Sequence, residues 1–164
     1  LNPLFEKVLK QKPTLVLRDY HAENLIWLPK RNKNKRVGLL DYQDALAGHP
    51  AYDLASLLKD ARRDVSFKLR DELTHYFLKQ TKFDKELFLR DYSILSAQRN
   101  LKIIGIFARL SIRDNKPGYL NLIPRVWKNL QDDLLHPSLT ELSSFIKINV
   151  PEPTVSTLQK INSV

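Results

Sequence analysis

Thr14-Leu-Val-Leu-Arg-Asp-Tyr-His-Ala-Glu-Asn-Leu-Ile-Trp27 and, after a basic turn, Val37-Gly-Leu-Leu-Asp-Tyr-Gln-Asp44 decide how this chain is to be read. Three short apolar runs, 15–17, 25–28 and 37–40, are separated by polar stretches. That pattern predicts a strand, a polar loop, a second strand, a hairpin, a third strand and a terminal acid. The run Lys30-Arg-Asn-Lys-Asn-Lys-Arg36 suits the hairpin turn, which must be polar and where Asn tolerates positive φ.

Within that frame Asp19, Asn24 and Asp41 have the spacing a metal-dependent phosphoryl-transfer site needs. Negative charge spreads over the oxygens of a migrating phosphoryl group, so such a site requires a positioned Mg²⁺ and a carboxylate that orients the acceptor hydroxyl. Asp19, in the loop after Leu17, is the candidate base. Asn24, opening the second strand, returns an amide oxygen as a neutral metal ligand, and Asp41, closing the third, supplies the charged one, since hard cations take oxygen donors. Each alone is an ordinary turn or cap residue; together, between short apolar runs, they follow the order Asp-x-x-x-x-Asn, strand, turn, strand, Asp used by kinases.

The 164 residues, 43% of them hydrophobic, suffice for one domain with a proper core, and no apolar run is long enough to span a bilayer. Cysteine is absent, which excludes disulfides, a thiolate nucleophile and Cys-based zinc sites. The lack of a signal-type segment favours a cytoplasmic protein with no membrane partner. The net charge of +9 can signal nucleic acid or a membrane surface and is equally compatible with a cleft for ATP and an acidic sugar, so it decides neither; with no aromatic residues alternating with the basic ones, nucleic acid is not the expected partner. The chain opens at Leu1 in an amphipathic fragment, and its four Gly form no glycine-rich phosphate cover. The expectation is a carboxy-terminal catalytic lobe whose nucleotide-covering lobe is missing upstream.

After Asp44 the periodicity becomes helical. Helices are predicted over 50–62, with Leu54, Leu57, Leu58 and Ala61 on one face, over 66–79, and over 87–112 with an apolar face through Leu89, Leu95, Leu101, Ile104, Phe107 and Leu110. Gly105 is the interior weakness of the long helix. A turn at 115–118 precedes a helix carrying Trp127 to Leu135, with Pro124 in its first turn, then a short helix over 138–148, an extended 150–154 and loosely held final residues. Asp53 lies among apolar neighbours and either accepts hydrogen bonds from the Arg18-to-His21 loop or is a helix N-terminal carboxylate facing the dipole. The expected class is α+β, mainly α, with residues 1–136 as the lobe and 137–164 as a carboxy-terminal helix and tail.

Leu17-Arg-Asp-Tyr-His-Ala-Glu-Asn24, Leu40-Asp-Tyr-Gln-Asp-Ala45 and Pro50-Ala-Tyr-Asp-Leu-Ala55 together resemble the aminoglycoside phosphotransferase family, kinase-like proteins that phosphorylate small molecules. Leu57-Leu-Lys-Asp60, Gln98-Arg-Asn-Leu-Lys-Ile-Ile-Gly-Ile-Phe-Ala-Arg-Leu110 and Lys116-Pro-Gly-Tyr-Leu120 are similar to one branch, the bacterial anomeric kinases of N-acetylmuramate and N-acetylglucosamine. The resemblance, over about residues 5–135, implies the carboxy-terminal lobe of a protein-kinase-like fold. It implies ATP as co-substrate, Mg²⁺ held by Asn24 and Asp41, Asp19 as base and Asp53 as the brace of the catalytic loop. Leu17 stands where many relatives have His, and Tyr42-Gln43 replace the Phe-Gly of protein kinases, which argues against a switching activation segment.

Around this core the assignments stay open. Gln43 and Asp44 either touch substrate or form a strand-end turn, and Arg99, Lys102, Arg109 and Arg113 either grip an acidic substrate or make a solvated face. His21, without a second His or Cys, is read as a loop-packing residue. The alternatives to the sugar kinase are a kinase of another alcohol, such as an aminoglycoside or choline, and a non-enzymatic binding module that keeps the fold.

Overall fold

The computed structural model describes residues 2–162, which divide into two compact units, residues 2–83 and the residues from Asp84 on. Among the described residues no helix is long and apolar enough to cross a membrane.

The first unit opens with α1 (Asn2–Leu9), whose Val8 is buried. Four three-residue strands follow: β1 (Thr14–Val16), β2 (Leu25–Trp27), β3 (Val37–Leu39) and β4 (Leu46–Gly48). They make two separate antiparallel pairs. In the β2–β3 hairpin Leu25 stands opposite Leu39 and Trp27 opposite Val37; in the other pair Thr14 faces Gly48 and Val16 faces Leu46. β4 was not among the expected strands. Its Leu-Ala-Gly sequence carries no alternation, and it is a strand because β1, distant in sequence, supplies its ladder partner. Gly48 packs closely there: an added Cβ would come within 3.1 Å of the Val16 side chain, which would have to shift to admit it.

α2 (Ala51–Leu58) buries Ala51, Ala55 and Leu58, while Leu54 and Leu57 of the expected face are half-buried. It ends earlier than 62: the backbone leaves helix at Lys59, and Asp60 accepts a hydrogen bond from the Arg62 amide at 2.9 Å. α3 (Phe67–Gln80) begins where Ser66 caps the Leu69 amide, and its Phe77 stacks on Phe83 with centroids 6.4 Å apart.

The second unit is helical. α4 (Lys85–Asp114), about 45 Å long at 1.5 Å per residue, starts on the Asp84 cap, which accepts from the Leu87 amide at 2.8 Å. It stops at Asn115, whose φ of 50° reverses the chain. Its buried face differs from the expected one. Of the six residues assigned to it only Phe107 is buried, and the interior stripe runs through Phe88, Tyr92, Ile94, Ala97, Ile103 and Phe107. Polar residues share this stripe because they find partners: Asp133 accepts from Ser96 at 2.7 Å and from Asn100 at 2.9 Å. Hydrophobic spacing alone cannot register a face that is partly polar. Gly105 lies on the exposed side, where an added methyl would meet nothing within 4 Å.

α5 (Ile123–Leu134) packs along α4 and carries Pro124 in its first turn, where a missing N–H costs nothing. α6 (Thr140–Asn149) and an extended link lead to α7 (Val155–Asn162). This last helix corrects the expectation of loosely held final residues as far as Asn162. The Thr154 hydroxyl accepts from the Thr157 amide at 3.3 Å, a cap in a segment with few other helix signals, and α7 packs against α4.

Candidate active site

The polar loop between β1 and β2 is built from consecutive tight turns. The Asp19 amide donates to the Leu17 carbonyl at 2.9 Å, His21 to Asp19 at 3.0 Å and Asn24 to His21 at 3.0 Å. Such a loop needs an external hold, and α2 supplies it. The two carboxylate oxygens of Asp53, in the first turn of that helix, accept from the Leu17 amide at 2.7 Å and the Arg18 amide at 3.0 Å. Between these anchors Arg18 adopts φ 71°, a left-handed conformation disfavoured for a non-glycine residue.

Asn24 and Asp41 come together through the hairpin. Since Leu25 stands opposite Leu39, Asn24 stands opposite Leu40, and the Leu40 amide donates to the Asn24 carbonyl at 2.9 Å, closing the base. Asp41 follows directly with φ 54°. The Asn24 amide nitrogen donates to the Asp19 carbonyl at 2.9 Å and lies 3.4 Å from His21 Nε2. With its donor end so engaged, the side-chain oxygen of Asn24 is the end that can meet a cation. Asp41 accepts a hydrogen bond from the Gln43 side-chain amide.

Two further contacts fasten this loop, neither foreseen from sequence. Asp60, 2% exposed, accepts from the Ala22 amide at 3.4 Å, and Glu23 forms an ion pair with Arg62 at 3.1 Å. The signal was an acid close behind the apolar Leu57-Leu58, separated from them by Lys59 alone, a costly place for a carboxylate without N–H partners. Tyr20, in the same loop, has its phenol held above the ordinary range, first by burial and then by the negative charge of Asp53.

Asn24 and Asp41 present hard oxygen donors in the small number suited to Mg²⁺, which keeps phosphate and water ligands rather than entering an all-protein cage. Among the described residues no group of three or more His, Cys, Asp or Glu could hold a metal ion. The side chains of Asp19, Gln43 and Asp44 are exposed, and the Ala45 amide donates to the Tyr42 carbonyl at 3.1 Å, so residues 42–45 form a turn between β3 and β4. Arg99 and Arg109 both lie on α4, in the other unit: Arg99 is buried at 7% exposure, and Arg109 is exposed.

Residues 2–92 match the phosphotransferase enzyme family designated APH. Among curated proteins the chain is 48% identical over 138 residues to an N-acetylmuramate/N-acetylglucosamine kinase of Caulobacter vibrioides, covering 84% of this chain and 38% of that protein. It is 38% identical over 153 residues to a kinase of the same name from Pseudomonas aeruginosa, covering 87% of this chain and 43% of the relative. A third such kinase, from Neisseria meningitidis serogroup B, is 38% identical over 135 residues, 76% of this chain and 38% of its own length. The chain thus spans about two fifths of the length of these relatives.

Proposed function

We propose, from the premise that this chain belongs to the APH phosphotransferase enzyme family, that it carries the catalytic loop and metal-binding strand of an ATP- and Mg²⁺-dependent sugar kinase. The acceptor in this reading is the anomeric hydroxyl of N-acetylmuramate or N-acetylglucosamine, the sugars named for its relatives. The observation that carries it is the closed base of the β2–β3 hairpin, which sets Asn24 beside Asp41 and ties Asn24 to the Asp19 loop.

In the proposed reaction Asp19 accepts a hydrogen bond from the sugar hydroxyl and takes its proton as the oxygen attacks the γ-phosphorus. The new P–O bond forms in line with the breaking bond to the bridging oxygen, and ADP leaves with that oxygen. Asn24 and Asp41 would hold the metal, which when bound would neutralise charge on the phosphates. Asp53 fixes the loop by its two backbone bonds, so Asp19 need not be ordered at the moment of reaction. Gln43 and Asp44 offer contacts to the acceptor.

The glycine-rich cover over ATP and its lysine belong to a lobe outside these 164 residues. Two observations support this: the relatives are more than twice as long, and a set of apolar side chains around the site, Leu15, Leu39, Leu40, Tyr42 and Leu46, is exposed.

Labelled ATP and each of the two sugars, offered to the chain joined to its nucleotide-covering lobe, test the proposal. Acid-labile sugar 1-phosphate is expected, falling about 10²–10⁴-fold in Asp19→Asn. Residues 1–164 alone are expected to turn over little. Product formation unaffected by Asp19→Asn removes the assigned base, and full activity of the 164 residues alone removes the separate lobe.

A further inference from the structure

We infer that the tip of the β2–β3 hairpin is a docking surface for the anionic headgroups of a phospholipid membrane. Lys30, Arg31, Lys33, Lys35 and Arg36 crowd into seven residues and all are exposed. Among the described residues none of the five meets a carboxylate; the Arg36 Nε donates instead to the Arg31 carbonyl within the turn, at 2.8 Å. A positively charged turn with no acid to neutralise it is a cost in repulsion that an anionic partner removes.

The turn is also ordered in advance. The Leu28 amide donates to Arg36 at 2.7 Å, Arg31 to Leu28 at 3.1 Å and Lys35 to Asn32 at 3.1 Å, so the cations project from a hydrogen-bonded frame. An open groove is lined by residues 30–35 of this turn.

An apolar element stands beside the charge. Trp27 and Val37, directly opposite in the ladder and therefore on one face, are 63% and 40% exposed. Tryptophan flanked by cations is the composition of a membrane–water interface, where the ring sits at headgroup level and the charges meet lipid phosphates. The same geometry weighs against single-stranded nucleic acid, whose bases need successive stacking platforms. Trp27 is the single aromatic residue in the run 25–41, and the Arg36 guanidinium already lies 5.9 Å from its ring centroid. The three-residue strands set the tip about 10 Å from Asn24 and Asp41, so a docked surface leaves the hairpin base open.

Co-sedimentation of the 164-residue chain with vesicles of one-third phosphatidylserine in phosphatidylcholine, against phosphatidylcholine alone, tests this. Binding is expected to the mixed vesicles only, and to disappear in ~1 M salt, where the screening length is about 3 Å. Replacing Lys30, Arg31, Lys33 and Lys35 together by Ser should weaken partitioning about a thousand-fold, at roughly 1 kcal/mol per cation. Replacing the three lysines by Arg should preserve it. In a Trp127→Phe background, Trp27 emission should shift to the blue on binding. No binding to the mixed vesicles at low salt, equal binding to the neutral ones, an unaffected Ser variant, or tighter binding to a single-stranded oligonucleotide would each overturn the inference.

Discussion

At the scale of single residues the candidate site depends on Asp53. Its two oxygens each accept one of two successive backbone N–H groups, an arrangement only a carboxylate provides. In Asp53→Asn one oxygen becomes an NH₂ group facing an N–H donor. The expected cost is about 2–3 kcal/mol, read from the urea midpoint. A second readout separates charge from shape: with the negative charge gone, Tyr20 should titrate at a lower pH than in the unaltered chain, while remaining above the ordinary range through its burial. The polar spacing of Asp19, Asn24 and Asp41 could be read from the sequence because loop and strand lengths alone bring such positions to one end of a hairpin. The left-handed backbones of Arg18 and Asp41 could not, since neither is the glycine that would announce them.

Among the elements, those with strong local signals were legible. α3 and α4 begin at Ser66 and Asp84, whose side chains cap them, and α5 carries its proline where a helix admits one. β4 and α7 were not legible, because β4 exists only through its pairing with β1 and α7 has three apolar residues in eight. The junction between α5 and α6 carries a pH dependence. His136 Nδ1 accepts from the Ser138 amide at 3.2 Å, and burial, followed by the positive charge of Arg90, holds its pKa below the ordinary value. Well above the ordinary value of 6.5 the ring is neutral in folded and unfolded chains alike and contributes no slope. As pH falls below that value the unfolded chain takes up the proton first, so stability is lost until the folded ring protonates as well. Urea midpoints at about pH 7.5 and 5.5 should therefore fall further for the unaltered chain than for His136→Asn, which keeps an acceptor for the Ser138 amide without titrating.

For the whole molecule, the distribution of exposed apolar residues is uneven. Eight large ones, from Leu15 to Leu46, fall in the strand region of the first unit. If the nucleotide-covering lobe shields part of this surface, a hydrophobic dye should fluoresce strongly with the 164-residue chain and weakly, per molecule, once that lobe is joined to it. Equal fluorescence would count against the shielding. The hairpin within that region is closed at its root by the bond from the Leu40 amide to the Asn24 carbonyl. Whatever lies beyond that bond can change in length without altering the distance between the two residues at the root, and doubling a flexible loop costs only about 0.6 kcal/mol. If the root carries the proposed chemistry and the tip the proposed docking surface, the two are separable in this fold, because the backbone bond that sets the root does not involve the tip.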